Sequence, residues 1–317
     1  MTGKQRRRVR VGGRTLALVG TVVMAVAGFV APAAMAEPKG EFKVFKEGPI
    51  GTEELKGCLV SRTESGEIVI GNKKEAKEKT AVPIVATQTL QGGFGESNPE
   101  TGQQPFYGAK NGETLSKTPE KVPGGLLGIK CAEITGEGAH EKELRKTCEK
   151  TFEEGALGVY ATLELAAPAS DIYLNENALE SEFPYPPYPP ALVLPAKIHL
   201  ENSLLGGECY INSNSEPIEL ALTTGATSPP APNKSIKGKL GELTSKEKGK
   251  ILVIKDNTLV GNAFAVGKAH GCGLFGLLDG LVELKLGLPS PAGENTAILN
   301  NTVEQAGHNA VETSEEE

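Results

Sequence analysis

Beyond residue 36 the commonest pattern along the chain is alternation of apolar and polar side chains. "GVYATLEL" sets Val159, Ala161, Leu163 and Leu165 against Tyr160, Thr162 and Glu164, and "PIELALT" sets Ile218, Leu220 and Leu222 against Glu219, Ala221 and Thr223. "EFKVF" likewise places Phe42 and Val44 opposite Lys43. Successive side chains of a strand point to opposite faces, so these segments predict strands with one buried and one wet face, as in antiparallel sheets. "CLVS", "EIVI" and "ILVI" are short apolar runs bounded by polar or Gly-rich segments, and they predict strands buried more deeply. The Lys/Glu-rich "NKKEAKEK" between "EIVI" and "TAVPIVATQTL" reads as a solvated hairpin loop in preference to an acidic contact surface.

Two segments break the strand rhythm. In "AHEKELRKTCEKTFEEG", Leu144, Cys148 and Phe152 recur every four residues, Glu141 precedes Arg145 by four, and Gly155 supplies a stop, which predicts a surface helix. In "GLFGLLDGLVELKLGLP", Leu274, Leu277, Leu278 and Leu281 share one helical face, Asp279 and Glu283 mark another, and Gly287 and Pro289 end the run. Leu284 and Leu286 could equally begin a strand. A run this apolar is expected to cover the open end of a sheet core. The whole pattern predicts a mostly-β chain, an antiparallel β-sandwich or barrel-like single domain over residues 37–306, with a helical insertion near 139–154. "FPYPPYPP", the best candidate linker, reads as a stiff polyproline lead-in to the strand "ALVLPAKIHL" in preference to a docking ligand. Residues 307–317, ending in "ETSEEE", read as a solvated acidic tail.

The amino-terminal end changes the compartment. Lys4, Arg6, Arg7, Arg8, Arg10 and Arg14 precede the uncharged "TLALVGTVVMAVAGFV", Pro32 breaks the apolar run, and Ala34 and Ala36 form a small-residue cut site. Residues 1–36 therefore read as a secretory signal peptide cleaved after Ala36, the alternative being an uncleaved anchor. Loss of those six cations takes the formal charge from −7 to −13 and leaves Arg62 and Arg145 as the sole arginines. Guanidinium forks are the usual readers of phosphate and base edges, so a nucleic-acid partner is not expected. Asp171, Asp256 and Asp279 are the only aspartates, which gives clustered calcium loops no support. No second apolar run approaches membrane length, so the mature chain is expected to lack a membrane span.

An exported chain uses cysteine mainly for bridges, and there are five: Cys58, Cys131, Cys148, Cys209 and Cys272. Cys131 and Cys148 flank the start of the surface helix, where a local bridge would tie it to its leading loop. Cys209 in "GGECYI" and Cys272 in "HGCG" sit beside glycines that let two backbones approach. Chain entropy assigns roughly 4 kcal/mol to the longer ring and about 3 to the shorter. Cys58 is then the unpaired thiol, either buried and inert or able to link two chains.

The rival for "AHGC" is a nucleophile, Cys272, with His270 as its base two residues away on the same side of an extended segment. Such a thiol would have to stay reduced outside the cell, and no other element of a cysteine-hydrolase signature is present. A zinc site of His270, Cys272 and His140 or Cys148 lacks C-x-x-C and H-E-x-x-H spacing. His199 falls on the wet face of its strand, in step with Lys197 and Glu201, and His308 belongs to the tail. There is no G-x-S-x-G elbow; "PGGLLGIK" lacks the end of a phosphate loop, and "SKEK" lacks the partners of an S-x-x-K enzyme. No catalytic residue, cofactor or metal ligand is assigned.

At "TLQGGF", "LSKTPEKVPGGLLGI", "ECYI", "TTGATSPPAPNKSI" and "GLPSPAGENTAILN" the chain resembles an uncharacterised family of exported β-rich actinobacterial proteins, over roughly residues 40–306. The resemblance implies export and a β-rich body, and carries no catalytic residue across. It also implies a cysteine where this chain has Gly48, which would pair with Cys58; here that bridge is absent. The reading of function is an exported, disulfide-stabilised, non-catalytic β-sandwich, an envelope or matrix binding or structural module whose ligand is unknown. A cell-surface subunit linked through Cys58 is one form of it. The alternative is a secreted polysaccharide hydrolase using paired Glu carboxylates, with Tyr185 and Tyr188 standing in for the sugar-stacking Trp that the chain lacks.

Overall fold

A computed structural model describes residues 37–49, 53–72, 78–180 and 189–316. The predicted leader with its cut site after Ala36, the middle of "NKKEAKEK", and Tyr185 and Tyr188 lie outside the described residues. Four strands come first: β1 (Gly57–Ile70), β2 (Thr80–Ile84), β3 (Gln88–Phe94) and β4 (Phe106–Gly108). β5 (Glu120–Lys121), β6 (Tyr160–Leu165), β7 (Tyr173–Leu174), β8 (Leu192–Glu201), β9 (Tyr210–Ile211) and β10 (Ile218–Leu222) occupy the middle of the chain. β11 (Glu242–Lys246), β12 (Ile251–Gly261), β13 (Ala269–His270) and β14 (Thr296–Gly307) complete the set. The helices are α1 (Ala139–Cys148), α2 (Glu176–Glu180), α3 (Asp279–Leu286) and α4 (His308–Glu316).

The strands form two antiparallel sheets, a β-sandwich. The first runs β11-β12-β14-β1-β3-β4, with β2 also on β1; the second runs β13-β9-β8-β6-β5, with β7 and β10 also on β8. At the centre of the first sheet the earliest long strand meets the last, from Gly57 opposite Gly307 to Val69 opposite Thr296. On its other edge β1 pairs with β3 through Thr63 and with β2 from Gly66 onward. "CLVS" and "EIVI" are thus one strand. A bulge between Thr63 and Ser65 and the positive φ of Gly66 let the backbone bend and continue through the polar segment between them.

Both faces of this sheet are covered. Leu59, Leu299 and Val303 join the core between the sheets, with Leu194, Ile198, Leu220 and Leu222 coming from the second sheet. Cys58, Val60, Ile251, Val253 and Ala306 face the other way, into a smaller cluster closed by Phe42, Phe45 and Val311. That is why "CLVS" and "ILVI" read as unbroken apolar runs: their outward side chains are buried too.

Several expectations are corrected here. "EFKVF" is a 3-10 helix over Gly40–Phe45, which brings Phe42 and Phe45, three residues apart, onto the covered face. The acidic tail is α4, which buries Val311 and Ser314 against the first sheet. α1 buries no side chain, and its predicted stripe residue Leu144 is about half exposed. It is held instead by the Cys131–Cys148 bridge and by the Arg145 guanidinium, which donates to the Ile134 carbonyl at 3.2 and 2.7 Å.

The outer cluster is bordered by one charged knot. Glu304 accepts from Arg62 at 3.0 Å and from Lys246 at 2.6 Å, and Lys246 also reaches Glu41 at 3.2 Å. Burial alone would raise the Glu304 pKa, but the bonds from Lys246 and Arg62 outweigh it and hold it below the ordinary value. A depressed carboxylate stabilises the fold above the ordinary carboxylate range, and that stability is lost as pH falls through the folded-state value. The urea midpoint of the wild type should therefore fall below about pH 4.5. In Glu304→Gln the fall should be shallower, from a starting stability about 2 kcal/mol lower at pH 7. Parallel pH profiles for the two proteins would contradict the assignment.

Cys58 is buried and free, and burial pushes its thiol up to about 11, with Glu312 adding to the rise. A β-carbon on Gly48 would lie 3.5 Å from the Cβ of Cys58, within bridging range, at a backbone position without positive φ. Gly48→Cys should close a short ring and add about 2 to 3 kcal/mol. Thiol titration of the denatured, unreduced proteins checks it: one thiol in the wild type and none in the variant, with two in the variant as the contrary result.

Candidate functional site

The stretch around His270 and Cys272 is a scaffold joint. The sulfurs of Cys209 and Cys272 are bonded, and both residues are fully buried. His270 is exposed on β13, with Nε2 2.6 Å from the carbonyl oxygen of Asn212. Gly271, between them, has φ of 71°, so the backbone is not extended there and the two side chains do not share a face. The Cys272 amide donates to Asp279 Oδ1 at 2.7 Å, which fixes the start of α3 to the bridge.

His199 lies on the outer face of the second sheet, as its alternation requires, yet little of its side chain is wet. Its ring stacks on Tyr210 at 4.6 Å between centroids, Nε2 is 3.1 Å from the Gly207 carbonyl, and Nδ1 lies 3.5 Å from Glu201 and 3.8 Å from Glu164. Lys197 sits 4.4 Å over the same Tyr210 ring. His308, expected in a solvated tail, opens α4 and lies 2.9 Å from Glu312. His140 is exposed on α1. Among the described residues no group of three or more His, Cys, Asp or Glu is placed to hold a metal.

The buried glutamates each have a structural partner. Glu120 Oε1 accepts from the amides of Val85 and Ala86 and from Gln88 Nε2, at 3.0 to 3.1 Å. Glu153 Oε1 accepts from the amides of Gly124 and Cys131, Glu294 pairs with Lys79 at 2.8 Å, and Glu304 is in the knot already described. These carboxylates have their acceptor oxygens engaged by backbone amides and side chains that tie neighbouring loops together.

The feature that the pattern did not announce lies between the sheets. A partly open cavity of about 140 Å³ is walled by Ile70, Val82, Ile84, Leu90 and Leu299 on one side and by Leu163, Leu192, Leu194, Ile198 and Leu200 on the other. α3 and the turn before Leu127 form its third wall, through Leu281, Val282, Leu286 and Leu126. Its lining polar groups are few: Ser61, Thr63 and Asn301 from the first sheet, Thr80, Gln88, Thr89, Thr118 and Glu120 around the β2–β5 approach, and Lys285 on α3. Packed interiors leave few voids larger than a water. A void of this size, left empty, costs roughly 3 kcal/mol at about 24 cal/mol per Å³, a large part of a domain's net stability.

The α3 region also departs from the predicted facing. Val282 and Leu286 are buried, while Leu274, Leu277, Leu281 and Leu284 are 53 to 78% exposed and Phe275 is 94% exposed. Phe275 has a left-handed φ of 55°, a conformation that costs a non-glycine residue about 1 kcal/mol or more. Leu127, half exposed, adjoins this group, because Lys285 Nζ donates to its carbonyl oxygen at 2.7 Å. Leu281, one of these exposed leucines, also lines the cavity, so the group adjoins it.

Sequence reasoning nominated the leucine-rich run as a cover and missed the cavity beneath it. The available signal was the run itself, which holds more leucine than one buried helical face can use. No family model, curated protein or solved structure matches the chain.

Leu277→Gln and Leu284→Gln should leave the unfolding midpoint within about 0.5 kcal/mol of wild type and shorten retention on a hydrophobic-interaction column. Marked destabilisation would show instead that this face is packed in solution.

Proposed function

We propose that the chain is an exported, non-catalytic β-sandwich that holds an apolar ligand between its sheets and serves as a binding module of the cell envelope or matrix. The observation that carries this reading is the apolar cavity with its exposed leucine rim. Two intramolecular disulfides suit an oxidising compartment, and no helix among the described residues is long and apolar enough to cross a membrane. Export itself rests on the leader read in residues 1–36 and on the resemblance to exported actinobacterial proteins. The buried Cys58 favours the inert-thiol alternative over a linked dimer, since another chain could reach that sulfur only if the outer cluster opened.

Apolar pockets with a few fixed polar groups are the usual form of small-molecule sites, and a dry apolar void admits an apolar guest in place of water. Benzene, which a void of about 140 Å³ can admit, serves as a neutral probe followed by titration calorimetry. Saturable one-to-one binding is expected. It should be abolished by Leu163→Trp, which fills the void, and retained in Leu277→Gln, which alters only the rim. A probe at 100 times its Kd should add about 2.7 kcal/mol to stability. Binding that is lost in Leu277→Gln and kept in a folded Leu163→Trp would place the probe on the surface and defeat the reading.

A further inference from the structure

We infer that the cavity takes a medium-chain fatty carboxylate, which enters between α3 and the turn at residues 125–129 and leaves its head group at Lys285; this rests on the reading of the cavity as an apolar-ligand site. The size comes from the void. At about 140 Å³ it matches the engineered cavity that admits one benzene ring, so it holds a single chain of roughly six to eight carbons and excludes a sterol or a paired-chain lipid. The shape of the lining agrees, because the walls are mainly aliphatic side chains from facing strands, with no aromatic ring among the described lining residues to stack on a planar ligand.

The head-group assignment comes from charge. Among the described residues that line the cavity, Lys285 is the only cation and Glu120 the only acid. Glu120 has its charge met on the spot by two backbone amides and Gln88. Lys285 is different. It stands on the last turn of α3, exposed, next to the lining residue Leu286 and four residues after the rim residue Leu281. Its ammonium makes one bond, to the Leu127 carbonyl, and among the described residues no carboxylate lies within ion-pair distance of it. An ammonium carries three donors, so two remain to meet an anion at the mouth.

The reach of Lys285 is built into the backbone. It crosses to Leu127 over Gly128, where a β-carbon would overlap the ammonium, and Gly128 sits at φ of 67°, a conformation that suits glycine. The mouth is therefore bridged by one side chain that can exchange a neutral carbonyl for an anionic head without moving the sheets. The rim residues Leu281, Leu284 and Leu127 give the acyl chain an apolar path past that cation.

The test uses the full mature chain loaded with benzene, which is displaced by octanoate or by octanol and followed by titration calorimetry. Octanoate should displace the probe from wild type, Lys285→Met should weaken octanoate by about tenfold and leave octanol unchanged, and Lys285→Arg should restore most of the loss. A role for Lys285 limited to latching α3 onto the turn would move both competitors together, and that result would overturn the head-group assignment. Displacement by neither would overturn the ligand class while leaving the apolar site standing. A probe that never binds would remove the underlying reading itself.

Discussion

The pairing of β1 with β14 is the constraint on which the molecule depends. It joins the two ends of the described chain in the middle of one sheet, so the second sheet is built from the residues between and must lie back across it. It also fixes which side chains face inward: Leu59 and Leu299 point at the second sheet, while Cys58 and Ala306 point away. A slip of one residue would exchange those faces and expose both clusters at once. Bridges, helices and charged knot act on this arrangement, and none of them defines it.

From that geometry the cavity has a physical origin. Most inward positions of both sheets are aliphatic because the alternation makes them so, and they stop short of filling the space beside α3. The Cys209–Cys272 bridge, with the Cys272 amide on Asp279, fixes the start of the leucine-rich run, while Asn72, whose amide donates to the Gly287 carbonyl at 2.9 Å, holds its end. Between those anchors α3 sends Val282 and Leu286 inward and keeps most of its leucines outside. A void that costs stability and an apolar rim that costs solubility occur together, and a ligand that enters past the rim relieves the first.

Much of the fold was legible. The alternation in "PIELALT" reports a strand with one wet face, and β10 buries Ile218, Leu220 and Leu222 while Glu219 and Ala221 are exposed. Glycines beside Cys209 and Cys272 pointed to a close backbone approach, and their Cα atoms are 4.1 Å apart. What was not legible depended on partners distant in sequence. The outer covering of the first sheet by α4 and the Gly40–Phe45 helix could not be inferred from "EFKVF" or from an acidic tail, because each becomes apolar only in company. The facing of α3 was misread for the same reason: leucine on every side leaves the choice of buried face to the sheet beneath. The cavity is a further step removed, since period and composition describe which residues point inward and say nothing of how far apart the two walls stand. Lys285 gave no signal at all, being one lysine among many until α3 and the turn at Gly128 bring it to the mouth.

The central claim is that the site lies between the sheets. The most direct measurement is nuclear magnetic resonance of the methyl-labelled protein with octanoate, recording which methyl groups share cross-relaxation with the ligand chain. The account predicts contacts to Leu163, Ile198 and Leu299 on opposing walls; contacts confined to Leu274, Leu277 and Leu284 would contradict it.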